Sequence, residues 1–144
     1  MGGCGLPGAV VGVGVDVVEI GRIARAAERF GTRFLERVYA PDELAYCRER
    51  GRRPEQQAGC LAGRFAAKEA VMKALGTGAR GVSFREIVVT RLPGGRPAVS
   101  LLGRAAVAAR RQGVDEISLS ISHGREVAVA MAVALRHARG RDGA

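Results

Sequence analysis

The run of residues 59–75 constrains this chain more than any other. In it Leu61, Phe65, Met72 and Leu75 recur at spacings of four, seven and three. That spacing draws one apolar stripe along an α-helix, and a stripe that apolar has to be covered by the rest of the chain. Lys68 falls in the middle of the stripe. Glu69 and Lys73 stand four residues apart on its flank beside Ala62 and Ala66, and Gly76 closes the pattern. A carboxylate and two ammonium groups on the shoulder of a core-facing stripe are partly desolvated, as sites that handle anions or metals often are. Lys68 and Lys73 are the only two lysines in a chain that otherwise draws positive charge from arginine. An ammonium is a compact, movable charge where a guanidinium is a rigid fork, so this helix is where function is sought.

A length of 144 residues suits one domain with a real core. Aromatic residues make up only 4%, so alanine, valine and glycine build that core from small parts. The net charge of +9 favours acidic partners without choosing among nucleic acid, anionic lipid and acidic protein. Cys4, Cys47 and Cys60 are odd in number and include no C-x-x-C, so neither a disulfide framework nor a zinc site is expected. The reducing cytoplasm is the compartment that pattern suits. Residues 9–18 are apolar but lack a basic flank and are cut by Asp16, which excludes a signal peptide and a membrane span.

Residues 1–8 are glycine-rich and expected to be disordered. Residues 9–17 read as a buried strand that ends near Asp16, and residues 18–30 as a helix. On that helix Ile23, Ala26, Ala27 and Phe30 form the apolar side, while Arg22, Arg25 and Arg29 line an adjoining face. Residues 33–53 read as short helices, with Pro41-Asp42-Glu43 as a start signal, and the main helix spans 54–75. Residues 83–91 and 98–102 flank Pro93-Gly94-Gly95 as a hairpin; 101–112 is a second alanine-rich helix. Residues 116–122 and 126–135 are two further strands joined at His123-Gly124-Arg125, and 136–144 reads as a solvated basic tail. This order gives an α+β fold with a mostly antiparallel sheet and a long packed helix.

Asp16 and Glu69 are the candidate metal ligands. Mg²⁺ takes one or two carboxylates and fills its other positions with water and phosphate oxygens, and Lys73 adds charge for a phosphate. The competing reading is a structural Glu69–Lys73 pair with Asp16 capping the following helix. Gly12-Val13-Gly14 lacks the third glycine of a dinucleotide-binding turn; its glycines suit a strand that approaches another backbone closely. His123 shares a strand face with Leu119 and Ile121, as a structural histidine does, and the serines at 118, 120 and 122 are either anion-binding hydroxyls or a wetted face. No G-x-S-x-G is present, which argues against a hydrolase triad. The arginine row lacks base-contacting aromatics, which favours protein docking or a solvated face over a nucleic-acid stripe. A non-catalytic basic binding module is the rival to an enzyme.

Three segments in this order, residues 12–19 (GVGVDVVE), 62–78 (AGRFAAKEAVMKALGTG) and 119–123 (LSISH), closely resemble the holo-[acyl-carrier-protein] synthases. These are the small bacterial 4′-phosphopantetheinyl transferases, and the likeness runs over residues 9–135 as one domain of that fold. The resemblance implies a Mg²⁺-dependent transfer of the 4′-phosphopantetheine arm of coenzyme A to a serine of an apo acyl carrier protein, releasing adenosine 3′,5′-bisphosphate, in fatty-acid or polyketide synthesis. It assigns Asp16 and Glu69 to the metal, Glu69 and Lys73 to catalysis, and Arg64, Lys73, Gly76, Pro97, Ser122 and His123 to coenzyme A. It makes Arg22, joined by Arg25 and Arg29, the docking face for the acidic carrier. It further implies a cytoplasmic homotrimer with clefts between subunits, and neither nucleic acid nor membrane as partner.

Overall fold

The protein, as a computed structural model, is described over residues 8–138. The elements are β1 (Ala9–Glu19), α1 (Ile20–Phe30), α2 (Thr32–Val38), α3 (Pro41–Glu49), α4 (Pro54–Leu75) and the short α5 (Gly78–Gly81). After a 3₁₀ turn at Phe84–Glu86 come β2 (Ile87–Arg91), β3 (Pro97–Leu101), α6 (Gly103–Arg111), β4 (Glu116–His123) and β5 (Val127–Arg136). One antiparallel sheet has the order β1-β5-β4, and β2 and β3 form a separate two-stranded one. The expected α+β architecture is therefore present, divided into two sheets.

Helix α4 lies against the three-stranded sheet, and small residues set how close it comes. Ala128, Ala130, Ala132 and Ala134 of β5 are all buried on the inner face. From the helix, Gly59 and Gly63 meet His123 and Ile121 of β4; from β1, Gly12 and Gly14 meet the backbone of Ala74 and Ala70. The helix's larger residues point the other way, where Phe65 stacks on Phe84 with ring centroids 4.9 Å apart. α4 is thus buried on two sides, although the pattern of large residues shows only one. Pro54 starts it without losing a needed donor, and Gly76, at φ 70°, ends it with amides 76 and 77 closing on Lys73 and Met72.

Several boundaries differ from the sequence reading, each because a partner distant in sequence decides it. β1 continues to Glu19 because β5 pairs with it as far as Glu19↔Val127; α1 then starts at Ile20, and Asp16 is inside a strand rather than capping a helix. β5 runs on to Arg136, whose guanidinium donates to the Gln112 carbonyl at 2.7 Å, and the His137 amide donates to Asp115 Oδ2 at 2.8 Å. Residues 136 and 137 are therefore fastened rather than part of a solvated tail. The expected disorder at the N-terminus and the rest of the basic tail fall on 1–7 and 139–144, outside the described residues. Cys47 and Cys60 are joined as a disulfide, against expectation, with their Cα atoms 5.5 Å apart. The connection at residues 50–53 folds α4 back beside α3, a return that cysteine spacing alone does not reveal.

β1, expected to be a buried strand, is covered on one face only: on the outer face of the sheet, Val13, Val15, Val17 and Met131 are 46–61% exposed, because α4 packs on the other side. Apolar side chains standing together on a strand face in this way form an uncovered surface.

Candidate active site

Asp16 projects from the inner face of β1, two residues beyond Gly14, where the strand runs against α4. A β-carbon on Gly14 would collide with the Ala70 carbonyl and, at 2.8 Å, with Lys73 Cβ. The glycine thus brings the strand's carboxylate onto the helix turn that carries Glu69 and Lys73. Lys73 Nζ donates to Asp16 Oδ1 at 3.1 Å and to the Val15 carbonyl at 2.9 Å. It therefore pairs with Asp16, not with its helix neighbour Glu69 as the structural reading of the sequence had it. Asp16 is 12% exposed and Lys73 54%. The second oxygen of Asp16, Oδ2, is buried and has no hydrogen-bond partner.

Glu69 is half-buried, and its carboxyl is raised to about 7, first by burial and then by the adjoining Asp16 carboxylate. Arg22 and Lys73 act in the opposite sense. A glutamate whose ionisation is opposed by a neighbouring carboxylate, that neighbour having an orphaned buried oxygen, offers a place for a cation. Among the described residues no group of three His, Cys, Asp or Glu side chains comes together. An ion held at Asp16 and Glu69 would keep most positions for water and phosphate oxygens, which suits Mg²⁺ and neither structural zinc nor a full calcium cage.

Lys68, the residue that pointed to this helix, has another role. It is fully buried, and its Nζ donates to Glu43 Oε1 at 2.7 Å, to the Phe84 carbonyl at 3.1 Å and to the Ile87 carbonyl. Glu43 also accepts from the amides of Ala40 at 2.9 Å and Val89 at 3.0 Å. Burial pushes the Lys68 ammonium down and Glu43 holds it up. The pair ties α3, α4 and β2 together and faces away from Asp16. Glu43 was legible as part of a helix start signal; nothing local marks it as the partner of Lys68.

A second cluster surrounds Tyr46. The guanidinium carbons of Arg64 and Arg50 lie 4.1 and 4.2 Å from its ring centroid, and that of Arg91 lies 5.7 Å away. These residues, with Cys60 and His123, line a cavity of about 290 Å³. Arg64 is buried; its Nη1 donates to Cys60 Sγ at 3.3 Å, its Nε has no partner, and burial holds its pKa below the ordinary arginine value. His123 is exposed and rests on Gly59 rather than in the core. Sequence reasoning named Arg64 and His123 but missed Tyr46 and Arg91, which reach the cavity from α3 and from the end of β2.

The remaining candidates are not gathered into either cluster. Gly76 is the left-handed cap of α4, and Pro97 sits opposite Arg91 in the β2–β3 ladder. Ser122 is exposed on the face of β4 opposite His123. From Gly59, which carries His123, to Lys73 is about 20 Å along the helix. Arg22, Arg25 and Arg29 are all exposed on α1, with Arg22 near enough to Glu69 to act on its carboxyl.

Comparison with known proteins gives this geometry a lineage. Residues 12–132 match the model of the 4′-phosphopantetheinyl transferase superfamily. The holo-[acyl-carrier-protein] synthase of Clostridium kluyveri is 48% identical over 124 residues, covering 86% of this chain and 89% of that protein. The crystal structure of the synthase from Neisseria meningitidis superposes with a TM-score of 0.78 at 38% identity, covering 88% of this chain and 98% of that one. The Helicobacter pylori synthase in complex with coenzyme A gives 0.73 at 32% identity, covering 85% and 98%. With a strand carboxylate, a helix glutamate and a lysine meeting inside the matched span, the chain belongs to the holo-[acyl-carrier-protein] synthase family of 4′-phosphopantetheinyl transferases.

Proposed function

We propose that Asp16, Glu69 and Lys73 carry the family's reaction here, transfer of the 4′-phosphopantetheine arm of coenzyme A to a serine of apo acyl carrier protein. The observation that supports this most is the orphaned buried oxygen of Asp16 beside a half-buried Glu69 and a half-exposed Lys73. Asp16 and Glu69 would hold Mg²⁺, which when bound neutralises the diphosphate of coenzyme A. Lys73, half-exposed, leaves Asp16 to offset the charge that builds on the reacting phosphate. Glu69, the helix carboxylate of the site, takes the proton of the carrier serine as its oxygen bonds to phosphorus. The bond to the nucleotide phosphate breaks, and adenosine 3′,5′-bisphosphate leaves.

Arg64 and His123, with Arg50 and Arg91, form the anion-binding part of the coenzyme A cleft, and Gly76, Pro97 and Ser122 border it. Their spread along about 20 Å of α4 suits a cleft shared between subunits. The uncovered Val13, Val15, Val17 and Met131 face supports the homotrimer. Arg22, Arg25 and Arg29 dock the acidic carrier and speed its encounter. No described helix is long and apolar enough to cross a membrane. We place the enzyme in the cytoplasm, in fatty-acid synthesis.

The test is the intact mass of an apo acyl carrier protein after incubation with this protein, coenzyme A and Mg²⁺. A gain of about 340 Da, lost with EDTA, is expected from the transfer. No gain with any carrier, and no thermal shift with coenzyme A, would overturn the reading.

A further inference from the structure

Cys60 is part of the wall of the arginine cavity, and Cys47 lies directly behind it at the end of α3. Their Cα separation of 5.5 Å falls within the range that a disulfide spans without moving the backbone. Cys47 is 1% exposed, whereas Cys60, at 8%, opens on the cavity. Tyr46, the ring beneath the arginines, immediately precedes Cys47, and Arg50 lies inside the loop that the disulfide closes. We propose that Cys47 and Cys60 are a reversible thiol–disulfide site that sets how firmly this cavity holds a phosphate-bearing ligand, with a small cellular thiol as the reductant.

The cross-link removes freedom from the connection between α3 and α4, and so holds Tyr46 and Arg50 in place against Arg64. Glu43 and Lys68 anchor the body of α3 independently. Reduction therefore loosens the end of that helix and the arginine beyond it without opening the core.

The chemistry is ordinary exchange. A thiolate entering through the cavity attacks Cys60 Sγ, the bond to Cys47 breaks, and the released Cys47 thiolate takes up a proton. A second small thiolate attacks the small-molecule sulfur of the mixed disulfide and releases Cys60 as a thiolate beside the Arg64 guanidinium, which favours that form. In sum, one protein disulfide and two small thiols become two cysteine thiols and one small disulfide. The reverse reaction, with the small disulfide as oxidant, restores the bond.

The effect on ligand rests on reading the cavity as part of the coenzyme A cleft; the thiol chemistry does not, so two readouts keep them apart. Full-length protein is equilibrated with reduced or with oxidised glutathione, then unfolded and alkylated. Of three cysteines, one should take up label after oxidation and all three after reduction, by intact mass. In parallel, adenosine 3′,5′-bisphosphate, which has no thiol, is titrated by calorimetry. Reduction should weaken its binding by about threefold to tenfold, the effect of freeing one arginine side chain, and reoxidation should restore it. Cys47→Ala, or Cys47→Ser should the first fold poorly, should bind as the reduced protein does in either buffer. Three labels after oxidation would overturn the thiol pair while leaving the cavity reading intact. One label with unchanged affinity would overturn the regulatory link. No binding of the bisphosphate in either state would overturn the cavity reading and the link together.

Discussion

Glu69 makes the site sensitive to pH. Its carboxyl is raised from 4.5 to about 7, so between those values the folded protein keeps a proton that the unfolded chain has released. Without metal, the stability from this group is complete below pH 4.5 and is lost as pH rises through about 7. Bound as proposed, Mg²⁺ would need the ionised carboxylate and would gain affinity over the same window. The rise in melting temperature on adding Mg²⁺ should therefore be larger at about pH 8 than at about pH 5; equal rises would contradict the two-carboxylate site. Lys68 belongs to stability instead. Lys68→Met leaves Glu43 buried without its cation and should cost about 3–5 kcal/mol in urea denaturation. Replacing both residues by apolar ones should cost less than the two single changes together. The sequence showed Lys68 to be exceptional but could not distinguish a site from a buried pair. Its partner is 25 residues away, on a helix whose packing no local pattern specifies.

The geometry of the proposed site depends, at the level of elements, on how closely β1 and α4 approach. Gly14→Ala adds one carbon where the Ala70 carbonyl already stands, so strand and helix must separate. Overpacking of this kind should cost about 1–3 kcal/mol. Because Asp16 and Lys73 ride on the two elements being separated, transfer should fall even under conditions where the variant is folded. Normal activity in a destabilised variant would show that the close approach serves packing only. The bounds of α4 were readable because Pro54 and Gly76 punctuate the chain locally. The ends of β1 and β5 were not, because each is set by the other through pairs such as Glu19↔Val127 and Ala9↔Arg136. The glycines of β1 were legible as a point of close approach; which helix approaches was not.

Arg22→Glu should raise the apparent KM for the carrier far more than that for coenzyme A, since it reverses charge on the exposed row of α1. Equal effects on both substrates would count against docking there. Val15→Glu places a charge on the uncovered sheet face. If this face makes the proposed trimer, light scattering should then show monomers for the variant and trimers for the parent chain, and an unchanged mass would place the subunit contact elsewhere. The sequence showed the arginine row through helical spacing, and β1 only as a valine- and glycine-rich strand. It could not show that β5 and β1 join into one apolar face, nor that Cys47 meets Cys60, because both depend on the folded path of the chain.

The proposed transfer depends on Asp16 and Glu69 together. Its most direct test is the initial rate of carrier modification, at saturating coenzyme A and Mg²⁺, for Asp16→Asn and Glu69→Gln beside the parent chain, with circular dichroism confirming that each variant is folded. The expected result is a loss of about a hundredfold or more in each, as removal of a principal charge-stabilising group produces. A folded variant of either kind that transfers at close to the parent rate would contradict the claim.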